Sequence, residues 1–125
     1  MKESSIKLNK VDGFNPMDFA RTITDSEGNE SLYLDVQYRK LWFRLCNPNG
    51  KIVKKICTFD GNVAVIEARV YLDKNDPADG FVSNAFAQRV IDPSNADYGT
   101  RYLENAETAA VGRALADAGY GLRSE

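Results

Sequence analysis

Six basic side chains and no acidic ones lie between Val36 and Phe59, so the charge of this chain is unevenly distributed. The six are Arg39, Lys40, Arg44, Lys51, Lys54 and Lys55. This segment carries a formal charge of +6, and because the whole chain carries −2, the remainder carries −8. Lysine and arginine side chains along one track can neutralise the phosphates of a nucleic acid. The segregation predicts a basic face on an acidic protein, with a solvated face that binds nothing as the alternative.

Aromatic side chains in the same segment could add base stacking to this charge. From Leu34 to Leu45 the apolar residues recur with a helical period, which predicts one buried face made of Leu34, Tyr38, Leu41, Trp42 and Leu45. Val36 and Phe43 then fall on the opposite face of that helix. We therefore expect Phe43 to be exposed, where it could stack on a base or contact a second subunit. Packing of Phe43 beneath the N-terminal segment is the alternative.

The sequence contains no motif for catalysis or for binding a cofactor. It has no histidine, which removes the usual general base at neutral pH and the usual zinc ligand. Neither phosphate-binding glycine loop, G-x-x-x-x-G-K-[ST] or G-x-G-x-x-G, occurs. Cys46 and Cys57 lie outside any metal-ligand spacing and are expected to be buried thiols rather than a disulfide. We predict no catalytic residue, no metal site and no cofactor, and a protein that is not an enzyme.

The cellular location follows from two further features of the sequence. No apolar run approaches the roughly 20 residues that a membrane-spanning helix needs. The first ten residues, MKESSIKLNK, lack the apolar segment of a secretory signal. We therefore expect a cytoplasmic protein without a membrane partner.

The elements that must position the basic side chains can be predicted from periodicity and turn signals. Residues 1–14 are expected to be a flexible N-terminus. A short helix should follow in FNPMDFARTI, with Asn15 as its N-cap and Pro16 at its first position, and TDSEGNES should be a loop. The turn residues of NPNG, at 47–50, should end the helix that carries the first basic side chains.

Three strands should come next. KIVKKICTF is rich in β-branched residues, Asp60-Gly61 is a hairpin signal, and NVAVIEARVYL alternates between apolar and polar side chains. FVSNAFAQRVI predicts the third strand. The short connections favour antiparallel neighbours. We predict an α+β fold in which a three-stranded antiparallel β-meander is flanked by an N-terminal and a C-terminal helix, as one domain over residues 1–125 with its core at 33–122.

The last helix, YLENAETAAVGRALADAGYG, has a buried stripe in which alanine is unusually frequent, so it should lie close to the sheet. Gly112 falls on the far side, where it could permit another close approach, and Gly119 is well placed to end the helix. Glu107 falls within the stripe, and a buried carboxylate needs a partner. We predict a structural ion pair, with Arg69 or Arg89 as the candidate partners, or a partly exposed position at the edge. A general acid or base is the alternative.

The segments YLDVQYRKLWFRLCNPNGKI and ENAETAAVGRALADAGYG, with the meander between them, resemble the single-strand annealing proteins of phages. These are the Erf and Sak types, which are distantly similar to the eukaryotic Rad fifty-two annealing domain. The likeness covers about Tyr33 to Leu122. It implies a β-β-β-α core that assembles into rings or filaments, with single-stranded DNA in a basic groove. It also implies that Arg113 matches a basic position of the family's last helix and that Arg39 lies beside one of its first helix, whereas Gly112 departs from the pattern.

The leading hypothesis from the sequence is therefore a phage protein that binds and anneals single-stranded DNA in recombination, without hydrolysing nucleotides. Its partners would be single-stranded DNA and further copies of itself. The predicted DNA-binding side chains are Arg39, Lys40, Arg44, Lys51, Lys54, Lys55, Arg69, Arg89 and Arg113. The alternative is a structural or interaction protein of the same fold that oligomerises or binds a protein partner. A third possibility is a metal-dependent nuclease that uses the turn containing Asp73, Asp76 and Asp79.

Overall fold

A three-stranded antiparallel sheet, covered on one face by a helix, forms the centre of the computed structural model, which describes residues 9–95 and 99–122. The elements in chain order are a 3₁₀ helix (Pro16–Phe19), β1 (Arg21–Thr24), β2 (Glu30–Tyr33), α1 (Val36–Cys46), β3 (Lys51–Phe59), β4 (Val63–Tyr71), β5 (Ser83–Val90) and α2 (Tyr102–Asp117). The predicted α+β class and β-meander are confirmed. None of the helices in the described ranges is long and apolar enough to cross a membrane.

The segment before α1 contains more regular structure than its sequence predicts. Asn15 caps the 3₁₀ helix as expected, because its side chain accepts a hydrogen bond from the Met17 N–H at 3.1 Å. The predicted loop at 24–31 contains the turn of a hairpin at residues 25–29, whereas its ends belong to β1 and β2, which pair with each other. Asp25 stabilises this turn by accepting hydrogen bonds from two backbone N–H groups. Residues 1–8 of the predicted flexible N-terminus lie outside the described residues, whereas the Asn9 carbonyl accepts a hydrogen bond from Trp42 Nε1 at 2.8 Å.

The sheet has the order β3-β4-β5, so β3 and β5 are its edges. Alternation places Ala64, Ile66, Ala68 and Val70 of β4 on the face beneath the helices, and each is at most 1% exposed. The cross-strand partners of these residues share that face, and they include Lys54 of β3 and Arg89 of β5. The register of β3 shifts between Ile56 and Thr58, at a bulge. The opposite face of the sheet faces away from both α-helices.

Helix α2 lies directly on β4 and β5 because the side chains between them are small. Ala106, Ala110 and Ala114 are fully buried. Ser83 donates from its hydroxyl to the Ala114 carbonyl at 2.7 Å, a contact that also requires a close approach. At the end of the helix Gly119 has φ +98°, and the N–H groups of Gly119 and Tyr120 donate to the carbonyls of Ala116 and Leu115. This pattern is a Schellman motif, as the position of Gly119 predicts.

Helix α1 packs on the side of α2 that faces away from the sheet, and the contact centres on Gly112. A Cβ atom at Gly112 would lie 2.7 Å from Val36 Cγ2, so the missing side chain permits the approach. Arg39, which is 3% exposed, fixes it. Its Nε donates to the Leu34 carbonyl and its Nη1 donates to the Gly112 carbonyl, both at 2.8 Å. Its guanidinium also lies over the Tyr33 ring, 5.1 Å from the centroid.

Replacing Gly112 by alanine tests this close contact. Alanine is a better helix former by about 1 kcal/mol, but the new methyl would collide with Val36, whose side chain is stiff at χ1. We expect Gly112→Ala to lower the free energy of unfolding by about 1–2 kcal/mol in urea titrations, a net overpacking cost. Gly61→Ala is the matched control because nothing lies within 4 Å of the added atom. Equal stability of the two variants would contradict the contact, and adding Val36→Ala to Gly112→Ala should recover part of the loss.

The role of Arg39 is tested by Arg39→Met. This change keeps much of the aliphatic chain but removes a side-chain donor from the Leu34 carbonyl and from the Gly112 carbonyl. We expect a loss of about 2–4 kcal/mol in the free energy of unfolding. Arg44→Met, at an exposed position of the same helix, should change it by no more than about 0.5 kcal/mol. If the two variants unfold at the same urea concentration, Arg39 does not hold the helices together.

Candidate nucleic-acid interface

The exposed side of α1 is a stripe that mixes basic, polar and apolar side chains. Its members are Gln37, Lys40, Leu41, Arg44 and Leu45, whose spacing repeats every three or four residues. Leu41 and Leu45 are 43% and 44% exposed, so their predicted place in the core is wrong. Trp42 is fully buried, as predicted. We call these five residues the α1 stripe.

Phe43 is fully buried, so the prediction of an exposed ring is also wrong. Its ring packs edge-to-face against Tyr120 at a centroid distance of 5.4 Å. It also lies over Gly50, where a Cβ atom would be only 2.6 Å from Phe43 Cζ. The turn that ends α1 thus brings a glycine beneath the ring, and Phe43 presents no surface to a base or to a second subunit.

Arg39 is a further correction to the predicted binding residues. Its guanidinium is buried and donates to two backbone carbonyls, so it supports the fold instead of facing an external partner along the α1 stripe. Lys40 and Arg44, on the same helix, are exposed. The basic residues of α1 therefore divide between the interior and the surface.

A groove of about 240 Å³ lies between the two helices and the β3 edge of the sheet. It is lined by Val36, Gln37, Lys40, Lys54, Glu107, Thr108 and Val111, and we call it the α1–α2 groove. Glu107 pairs here with Lys54, with 3.2 Å between the carboxylate oxygen and Nζ. The two side chains are 40% and 44% exposed, so the pair adds little to stability.

The partner of Glu107 is therefore neither Arg69 nor Arg89. Arg69 lies on the face of the sheet opposite the helices, since its cross-strand partner is Val53. Arg89 lies on the helix face, but on the far edge strand. Of the three lysines of β3, Lys54 is the one on the helix face, where it reaches Glu107. This placement depends on strand register and cannot be obtained from composition.

The remaining lysines of β3 point away from the α1–α2 groove because neighbouring side chains on a strand alternate between faces. Lys55 lies opposite Glu67 on the other face of the sheet. Lys51 lies over the Tyr71 ring at 4.6 Å and donates to the Lys74 carbonyl at 2.9 Å. The predicted continuous basic track is thus divided over two faces of the sheet.

Arg69 has its charge balanced within the protein. Its Nε donates to Glu67 at 3.0 Å, its Nη1 donates to the Ala78 carbonyl, and its guanidinium lies over the Phe81 ring. Asn84 donates a second hydrogen bond to the same Glu67 oxygen. The hydrogen bonds from Arg69 and Asn84 lower the pKa of Glu67, so this carboxylate stays charged and contributes stability that is lost only as the pH falls through its folded-state pKa.

Arg89 and Arg113 come together on the other side of α2. With Arg39 they line a pocket of about 180 Å³ that also contains Tyr33, Val36, Ala109 and Gly112, and we call it the arginine pocket. All three arginines are among the predicted binding residues, but the sequence does not predict that they lie together. Gln37, Thr108 and Tyr33 are not among the predicted residues, although the helical spacing of Gln37 with Lys40 and Arg44 is a signal for Gln37.

The acidic turn proposed as a metal site has no support from the geometry. Within residues 9–95 and 99–122, no group of three or more acidic or cysteine side chains is arranged to hold a metal ion. Asp73 and Asp76 instead accept hydrogen bonds from backbone N–H groups of their own turn. The two cysteines are free, but the expectation that both are buried is wrong, because Cys46 is partly buried and Cys57 is exposed.

Comparison with known proteins overturns the resemblance to phage annealing proteins. The family model that matches is described as Slr1353 N-terminal dsRNA-binding domain-like, and it covers residues 39–118. The alanine-rich segment of α2 has a structural explanation, because its alanines are the side chains that lie on the sheet. Such a segment can occur wherever a helix packs closely on a sheet, so it did not identify a family.

The matched segment extends from within α1 through the meander to the end of α2. It leaves out the β1–β2 hairpin and the 3₁₀ helix. No curated protein and no solved structure matches the chain. Because the family model covers well over half of the 125 residues, this protein belongs to the Slr1353 N-terminal dsRNA-binding domain-like family.

Proposed function

We propose that this protein binds double-stranded RNA through the α1 stripe and the adjoining α1–α2 groove. The observation that carries the proposal is the exposed row of Gln37, Lys40 and Arg44, which lies on a helix within or beside the segment that the family model matches. The name of that family refers to double-stranded RNA. Binding would require no catalysis, and the absence of histidine from the sequence supports a protein that is not an enzyme.

The chemistry of the α1 stripe suits an A-form duplex. The minor groove of such a duplex is wide and shallow and presents 2′-hydroxyl groups, which proteins recognise mainly through shape and polar contacts. Gln37 can donate to and accept from hydroxyl groups, while Lys40 and Arg44 can reach phosphates. The α1 helix has 11 residues and is therefore about 16 Å long, enough to present all three side chains in one line.

Charge next to the α1 stripe limits where phosphates can bind. Lys54 adds a cation in the α1–α2 groove, but Glu107 beside it offsets that charge. The first turn of α2 carries the exposed Glu104, which repels phosphates from a helix N-terminus that would otherwise attract them. The strongest phosphate contacts should therefore come from Lys40 and Arg44.

Single-stranded DNA, the partner expected from the sequence, has less support. Proteins that bind single strands combine a basic groove with aromatic side chains on which bases stack. Trp42 and Phe43 are fully buried, and the exposed Phe59 packs against Tyr102 with 5.6 Å between ring centroids. Phe86 is more than half exposed, but it lies opposite Glu67 on the sheet face away from the α1 stripe. The expected homo-oligomer remains a prediction, which native mass spectrometry can test, and so does a cytoplasmic location.

The proposal is tested with the double variant Lys40→Gln/Arg44→Gln. Fluorescence anisotropy would measure binding to an RNA duplex of about 20 base pairs, long enough for one domain of this class, at several salt concentrations. We expect the wild type to bind more weakly as salt rises, and the variant to bind more weakly at low salt. The magnitude of the log–log salt slope should fall by about 2 in the variant, because two phosphate contacts are lost.

The matched control is Lys10→Gln/Lys74→Gln, which removes the same charge at two exposed positions outside the α1 stripe. It should leave both affinity and salt slope close to those of the wild type. The same measurements with single-stranded DNA of equal length give the comparison between partners. Absence of duplex binding by the wild type at low salt, or equal losses in the two double variants, would exclude the α1 stripe as the RNA-binding surface.

A further inference from the structure

The arginine pocket is a separate place where the surface gathers positive charge. It lies beside β5, whereas the α1–α2 groove lies beside β3, so the two flank α2 at opposite edges of the sheet. Its arginines come from three elements: Arg39 from α1, Arg89 from β5 and Arg113 from α2. No consecutive run of sequence contains this cluster, so only the fold creates it.

Arg89 and Arg113, the two outer arginines of the pocket, have no aspartate or glutamate among the described residues that line it. Elsewhere in the structure Arg21 pairs with Asp35, and Arg69 pairs with Glu67. For Arg89 and Arg113, no carboxylate within residues 9–95 and 99–122 lies at ion-pair distance. An anion in this pocket would relieve the repulsion between neighbouring cations.

Backbone hydrogen bonds hold the guanidinium groups in position. Arg113 donates through Nη1 to the Phe86 carbonyl at 3.1 Å, and Arg89 donates through Nη1 to the Gln88 carbonyl at 2.7 Å. A guanidinium has five N–H donors, so each of these two retains donors on its other nitrogens. Arg39 forms the inner wall, where its bonds to Leu34 and Gly112 fix it. A guanidinium group that is already held in position loses less side-chain entropy when it binds a ligand than a freely moving one does.

The size and charge of the pocket indicate the chemical class of the ligand. The pocket is a depression of about 180 Å³ that is open to solvent on one side, and it is large enough to admit a small oxyanion. A terminal phosphate carries about −1.5 to −2 charge at neutral pH and three acceptor oxygens, whereas a carboxylate or an internal phosphodiester carries −1. An arginine guanidinium can donate two parallel hydrogen bonds to two oxygens of one phosphate group.

We propose that the arginine pocket binds a terminal phosphate group, with Arg89 and Arg113 as its principal ligands. The phosphate could belong to the end of a nucleic acid strand or to a free phosphate ion. The pocket shares only Val36 with the α1–α2 groove and no cation with the α1 stripe. This site is therefore independent of the proposed duplex binding, and either can fail without the other.

The first test uses the whole wild-type protein and inorganic phosphate. Arginine side-chain resonances in ¹⁵N-resolved NMR spectra should shift for Arg89 and Arg113 on titration with millimolar phosphate, and those of Arg101, which is exposed outside both sites, should not. Phosphate should also raise the thermal midpoint, since a ligand that binds the native state stabilises it. If no pocket resonance moves, or if all exposed arginines move alike, the proposal is overturned.

The second test uses Arg113→Gln and Arg113→Lys, with Arg101→Gln as the matched control, because Arg101 lines neither the arginine pocket nor the α1–α2 groove. Arg113 and Arg101 are both exposed, so these variants should fold, which circular dichroism can check. We expect Arg113→Gln to weaken phosphate binding tenfold or more. Arg113→Lys should be intermediate because it keeps the charge but loses the paired N–H donors. Arg101→Gln should bind like the wild type. Equal affinity of Arg113→Gln and Arg101→Gln would refute the site.

The source of the phosphate is identified with RNA duplexes that differ only at the 5′ end. If 5′-phosphorylated RNA binds more tightly than 5′-hydroxyl RNA, and Arg113→Gln removes the difference, the ligand is a strand end. If the two RNAs bind alike while inorganic phosphate still shifts the pocket resonances, the ligand is a free phosphate. A 5′-phosphate preference that Arg113→Gln does not alter would place phosphate recognition outside the arginine pocket.

Discussion

The buried guanidinium of Arg39 holds α1 against α2, and the surface of the protein depends on how those helices meet. Its bonds to the carbonyls of Leu34 and Gly112 join the start of α1, the preceding segment and the middle of α2. The contact is possible because residue 112 has no side chain. With α1 held in this orientation, Trp42 and Phe43 face inward, while Gln37, Lys40 and Arg44 face solvent. The α1–α2 groove and the arginine pocket are the spaces left on either side of this junction.

The same arginine explains why the sheet could be predicted from the sequence while the orientation of α1 could not. Strong local signals, such as the alternation of β4 and the Asp60-Gly61 turn, specify the meander, and the predicted first strand at Lys51–Phe59 agrees with the structure. In α1 the centre of the buried face is a charged residue. Treating Arg39 as exposed rotates the predicted apolar face by about 100°, one residue step of a helix. This rotation places Leu41 and Leu45 in the predicted core and Phe43 on the predicted surface.

The candidate site was predictable as a set of residue types but not as an arrangement. The basic residues are clustered in the sequence, but they do not form one surface. Alternation along β3 places Lys54 on the helix face of the sheet and Lys55 on the opposite face. The partner of Glu107 depends on the register of an edge strand, and the three arginines of the pocket depend on the packing of three elements. Both are tertiary properties that no local pattern encodes. The alanine content of α2, which suggested an annealing protein, reflects how closely the helix lies on its sheet.

The lysines of β3 have a consequence beyond any ligand, because β3 is an edge strand. An edge presents unpaired backbone groups that can recruit a strand from another molecule, and charged side chains and bulges oppose such pairing. β3 carries Lys51, Lys54 and Lys55 together with a bulge near its middle. β5, the other edge, carries only Arg89 as a charge. Both strands leave apolar side chains more than half exposed: Ile56 and Phe59 on β3, and Phe86 and Val90 on β5. The lysines and the bulge therefore oppose strand pairing at the β3 edge more strongly than the single arginine does at the β5 edge.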